Sequence, residues 1–173
     1  MKKQILKICG VLLTCISLPL QARSTEAIPD SVYNGLPFPM KKVVQPQFPD
    51  YKVCITDFGA TPDGKTLNTQ AINNAIATVS QKGGGTVVIP AGFWITGPIK
   101  LQSGVNLYTE RNAFVLFTED HSHYKKPNAP KHALSLSPIY ADNARNIAIT
   151  GHGVFDGNGN TWRMVKRSKL TAG

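Results

Sequence analysis

The chain has 173 residues, 42% of them hydrophobic, with 19 Lys and Arg against 10 Asp and Glu and a formal net charge of +9. That length accommodates one domain with a core of its own, and the basic excess favours anionic partners. The absence of a nucleic-acid recognition motif argues against DNA or RNA, and the one long apolar run is too short and interrupted for stable membrane insertion.

That run is the leader. Lys2 and Lys3 form a positive start, Ile5 to Leu20 an apolar stretch broken by Pro19, and Leu20-Gln21-Ala22 ends in a small residue suited to cleavage. Residues 1–22 are therefore read as a signal peptide, and the mature protein as exported. Lipidation at Cys15 is a weaker alternative, because Thr14 is an unusual neighbour for a lipidated cysteine. Losing Lys2, Lys3 and Lys7 lowers the net charge to +6. Cys9 and Cys15 leave as well, so no intramolecular disulfide is possible and Cys54 is expected as a small buried hydrophobe.

Residues 23–50 carry Pro29, Pro37, Pro39, Pro46 and Pro49, which predicts an extended arm with Phe38, Val43, Val44 and Phe48 as anchors. A strand is predicted from Tyr51 to Phe58, then a turn from Gly59 through Pro62-Asp63-Gly64. Asn68 is a good helix N-cap. The apolar residues Ala71, Ile72, Ala75, Ile76 and Val79 then form one stripe, and Gly83-Gly84-Gly85 stops the helix, giving a span of about 69–82.

From Thr86 onward the helical period is lost. Short apolar stretches alternate with turns: 86–89, 93–96, 99–101, 105–108 and 114–117, then a polar loop at 119–133, then 134–140, 147–150 and 154–156. Such strands are short for a sandwich, and a single helix precedes the series. Both features favour a solenoid capped at one end, with Val88, Leu107 and Ile149 in tiers running the same way.

Specific motifs carry a resemblance. D-F-G-A-x-x-D-G-x-T-x-N-T-x-A-I at 57–72, G-G-G-T-V-V-I-P-x-G at 83–92, T-G-P-I-x-L-x-S-x-V-N-L at 96–107 and the 137–159 segment ending F-D-G-N-G together resemble glycoside hydrolase family 28, the polygalacturonase-like pectinases of bacterial type. The resemblance runs from about Pro37 to the last residue. It implies a mainly β, single-stranded right-handed parallel β-helix (pectin-lyase-like), with residues 51–173 as its N-terminal part and the rest truncated. It further implies a secreted enzyme, monomeric when complete, that hydrolyses galacturonan or rhamnogalacturonan with inversion and without metal or other cofactor. Export would lead to the periplasm, cell surface or medium.

Inverting hydrolysis uses one carboxylic acid and one carboxylate base roughly 6.5–9.5 Å apart. The family supplies them from an N-T-D and a D-D motif, followed by G-H-G and R-I-K, and this sequence holds none of these in a matching context. Asn68-Thr69-Gln70 lacks the carboxylate, Pro98-Ile99-Lys100 lacks the arginine, and Gly151-His152-Gly153 heads a turn. No catalytic residue is therefore assigned, and this chain alone is expected to be inactive. The alternatives are a polysaccharide lyase of the same fold and a non-catalytic glycan-binding β-helix.

Other candidates read structurally. Asp57, Asp63 and Asp156 are turn aspartates, and adjacent Glu119 and Asp120 would point to opposite sides. His121, His123 and His132 are not assigned to a metal. Lys125 and Lys126 are candidates to touch an anionic polysaccharide. Trp162, with Arg163, Lys166, Arg167 and Lys169, is read as opening a short helix, with Trp162 packed on the solenoid wall.

Overall fold

Buried and half-buried side chains alternate along Gly85–Ile89, Val105–Thr109 and Ala113–Phe117, the period of strands with one face on a core. The computed structural model describes residues 29–42, 44–126, 128, 130 and 135–163. The signal-peptide reading at 1–22 lies outside the described residues, as do Val43, His132, Lys166, Arg167 and Lys169. Two units separate at Gln45/Pro46. In the first, Asp30–Tyr33 forms a 3-10 turn and Lys42 Nζ meets Asp30 Oδ1 at 2.6 Å. Phe38 and Val44, expected as anchors, are exposed instead.

In the second unit the strands wind into three parallel sheets. The first sheet runs β1 (Lys52–Cys54), β3 (Gly85–Ile89), β6 (Val105–Thr109) and β9 (Ala148–Gly151). The second runs β2 (Asp63–Leu67), β4 (Gly92–Thr96), β7 (Ala113–Phe117) and β10 (Val154–Asp156). The third pairs β5 (Ile99–Leu101) with β8 (Ile139–Ala141). Each circuit of the chain thus visits the sheets in turn, a parallel β-helix. The inward tier of the first sheet is Val53, Val87, Leu107 and Ile149. Val88, Leu107 and Ile149 lie on strands that run the same way, as expected, with Val88 paired to Tyr108 on the outward face beside inward Val87.

Three expected boundaries move. The first strand stops at Cys54, and Ile55–Phe58 is a 3-10 turn ending at Gly59 in the left-handed region. Asp63 and Gly64, read as the end of a turn, open β2 (Asp63–Leu67), whose pairing to β4 is irregular between Asp63 and Leu67. The strand expected over 134–140 shrinks to Ile139–Ala141 among the described residues.

Helix α1 (Thr69–Gln81) buries Ile72, Ala75, Ile76 and Val79. Asn68 is its N-cap residue but makes no capping bond. It is buried, and its amide ties three segments together: Oδ1 accepts from Thr61 N at 2.8 Å, while Nδ2 donates to the carbonyls of Thr66, Thr61 and Ile95. The polar side of α1 does not merely face water. Asn73 accepts from Lys100 N at 2.9 Å and donates to Pro98 O at 3.0 Å, and Ser80 donates to Ser103 O at 2.8 Å. These bonds occupy backbone groups around β5 that a neighbouring strand would otherwise pair, so the helix closes that end of the third sheet.

Between the sheets lies one core, with Trp94, Ile89, Ile99, Val105, Leu107 and Val115 fully enclosed. Burying each such side chain stabilises by about 1.5–3 kcal/mol. Gly85 shows how tightly the coils stack. Its φ is +146°, and a Cβ there would stand 2.2 Å from Tyr51 O in the coil before it. Only glycine lets the backbones come so close.

Candidate functional site

Most described carboxylates are engaged in local structure. Asp57 accepts from Cys54 N at 3.2 Å, Asp156 from Asn158 N at 2.9 Å, and Glu110 from Ala91 N at 3.3 Å. Asp63 accepts from the Lys65 and Thr66 backbones and the Thr66 hydroxyl at 2.7–2.8 Å. The Thr66 bonds, with that from Lys65, hold its pKa at about 2. Asp120 caps the 3-10 turn His121–Tyr124 through Ser122 N at 2.9 Å. Its pKa is lowered first by the Ser122 backbone bond and then by the Ser122 side chain, with His123 and His121 adding attraction.

His152 sits where two coils nearly touch. Its backbone N–H donates to Thr109 O at 2.9 Å, and a Cβ at neighbouring Gly151, whose φ is +103°, would fall 2.0 Å from that oxygen. The Gly-His-Gly run is thus explained by backbone approach. Cys54 is half-buried rather than buried, and Thr56 Oγ1 donates to its Sγ at 3.0 Å. Among the described residues, no three His, Cys, Asp or Glu side chains converge as a metal site.

A different group of residues does converge. His121 stacks on Trp162 with ring centroids 3.9 Å apart and planes at 20°, and its Nε2 lies 3.2 Å from Thr161 Oγ1. Tyr124 meets Trp162 edge-on at 4.9 Å. Tyr124 is buried, its hydroxyl donates to Thr118 O at 2.8 Å, and burial raises its pKa. Trp162 ends a 3-10 turn, Gly159–Trp162, and packs on the 121–124 turn; the short helix expected to follow it lies outside the described residues.

Two clefts border this cluster. The smaller, of about 240 Å³, is lined by Tyr124, Leu136, Pro138, Gly157, Gly159 and Trp162. The larger, of about 540 Å³, shares Leu136 and includes Lys126, Ser135, Ser137, Tyr140 and Asp142. Lys126 was a sequence candidate and does line a cleft; Lys125 is exposed but does not line either one. Tyr124, Leu136 and Tyr140 were not anticipated. Tyr140 could have been found from its strand, since it alternates with inward-facing Ile139.

Residues 52–170 match the family described as rhamnogalacturonase A/epimerase, pectate lyase-like. The chain belongs to this family. An exo-poly-alpha-D-galacturonosidase of Dickeya chrysanthemi is 32% identical over 127 residues, 66% of this chain and 20% of that protein. Among solved structures, a hyperthermoactive exopolygalacturonase from Thermotoga maritima aligns with TM-score 0.58 and 36% identity, covering 66% of this chain and 27% of that one. A family 28 exopolygalacturonase of Yersinia enterocolitica aligns with TM-score 0.56 and 38% identity, covering 64% and 21%. The chain thus spans about a fifth to a quarter of the length of these relatives. The polygalacturonase-like relationship expected from the motifs holds over the matched part.

Within this family member, the cleft walls offer three aromatic side chains, two serine hydroxyls, an ammonium group and a carboxylate. Such a set binds and orients a polar ring with an apolar face. Among the described lining residues, Asp142 is the one carboxylate.

Proposed function

We propose that this chain forms the N-terminal coils of an exported, pectin-degrading glycoside hydrolase that cleaves galacturonan or rhamnogalacturonan by the inverting two-carboxylate route. The observation that carries the reading is the 32–38% identity to three galacturonan-cleaving exo-enzymes, maintained over a run of registered parallel coils. Most of the described carboxylates of this segment are engaged in its own turns and coils. The acid and base are accordingly assigned to sequence outside these 173 residues, and the chain alone is inactive. Its leader directs export, and its partner is an anionic uronan.

The test takes the longest open reading frame containing this chain and incubates its product with polygalacturonate. New reducing ends without an ultraviolet-absorbing unsaturated uronide are expected. Unsaturated products would assign a lyase instead, and binding without cleavage a glycan-adhering β-helix.

A further inference from the structure

The two clefts share a wall at Leu136, so an elongated ligand can lie across both. In the smaller one Trp162 keeps 38% of its surface exposed although His121 stacks on it. Gly157 and Gly159 line the same space, and a Cβ at either would meet nothing within 4 Å. The ring is therefore approachable beside backbone that offers no side-chain obstruction.

In the larger cleft, Tyr140 lies on β8 directly beside Lys100 of β5, its partner in register. Neighbouring strands are about 4.8 Å apart, so both side chains leave the same outward face next to one another. Lys126 supplies an ammonium group on the cleft wall itself. Among the described residues neither Lys100 nor Lys126 forms an ion pair. The opposing charge in the cleft is Asp142, whose Oδ1 accepts from Asn143 Nδ2 at 3.1 Å. The walls themselves carry one cation, Lys126, and one carboxylate, Asp142, and Lys100, beside the lining residue Tyr140, adds a second cation next to them.

We infer that this double cleft binds consecutive uronate residues of an anionic glycan, with Trp162 and Tyr140 under the sugar faces and Lys126 and Lys100 at the carboxylates. The inference rests on the pectin reading for its choice of sugar and adds the residues that would recognise it. The chemistry fits a hexuronate: its ring has an apolar C–H face suited to an aromatic surface, and its carboxylate calls for an ammonium partner. Ser135, Ser137 and Asp142 supply hydroxyl and carboxylate partners for ring hydroxyls.

Calorimetric titration of the full 173-residue chain with trigalacturonate, and with the neutral galactotriose, tests this. Wild type is expected to bind trigalacturonate at low salt and to weaken as salt rises. Trp162→Ala and Gly157→Leu should each raise Kd about tenfold, and Lys126→Gln about fivefold. The Lys126→Gln change should leave galactotriose binding unmoved. Gly157→Leu and Lys126→Gln alter exposed positions, so they remain informative if Trp162→Ala disturbs the loop pair. Trigalacturonate binding that persists unchanged in those two variants overturns the cleft assignment while leaving the pectin reading intact. No binding by the folded wild type overturns the cleft as well, and the open-reading-frame assay above then decides the pectin reading separately.

Discussion

The two tryptophans mark two kinds of region. Trp94 has no exposed surface, and its indole N–H donates to Pro90 O at 2.9 Å within a stack of strands fixed by backbone register. Trp162 is held by side chains from a distant turn, through the His121 stack and the Tyr124 edge, and 38% of it remains exposed. The first region gains its order from many cooperative ladder bonds and apolar burial. The second is joined by a few ring contacts and one hydroxyl–imidazole contact, and it leaves space beside it. A rigid coil stack thus carries an open, chemically mixed surface.

The largest effect that would test this contrast comes from one added methyl group. Gly85→Ala should cost about 3–4 kcal/mol in urea unfolding, because its Cβ meets the Tyr51 carbonyl and its φ disfavours a side chain. The same change at Gly157, in open space, should stay within about 0.5 kcal/mol. Equal costs at the two sites would remove the distinction between packed coil and open cleft. Next comes Asn68→Ala, expected to lose about 1–3 kcal/mol by removing the amide partner of the part-buried Thr61 N–H and of the Thr61 and Thr66 carbonyls.

The smallest effect sharpens the comparison at the exposed rim. Asp63 has a folded pKa of about 2 against an ordinary 3.8. Its ionised form is the one that accepts the Thr66 and Lys65 bonds. Its contribution to stability is therefore present above about pH 4 and lost as pH falls from there through about 2. Carboxyl chemical shifts followed by NMR should report the low value, and Asp63→Asn should flatten the pH dependence of stability in that window.

Local patterns in the sequence account for the stacked region well. The helix expected at 69–82 is observed at Thr69–Gln81, and β3, β5, β6 and β7 fall within a residue of their expected positions. Those elements follow from periodicity and glycine stops, which are local properties. β2 was missed because Pro62-Asp63-Gly64 reads as a turn, and its extended form comes from pairing with β4 some thirty residues later. Asn68 was placed correctly at the helix start, yet its side chain serves distant carbonyls, which no local rule specifies. At the candidate site Lys126 and Trp162 were legible by residue type. Their association with Leu136 and Tyr140 depends on the third sheet bringing segments together, and that is a property of the coil.

The most direct test of the whole account observes both indole N–H signals of the intact chain by NMR during titration with trigalacturonate. The Trp162 signal is predicted to move and saturate, while the Trp94 signal, enclosed and bonded to Pro90 O, stays in place. Movement of Trp94 with Trp162 stationary would contradict both the open cleft and the closed core.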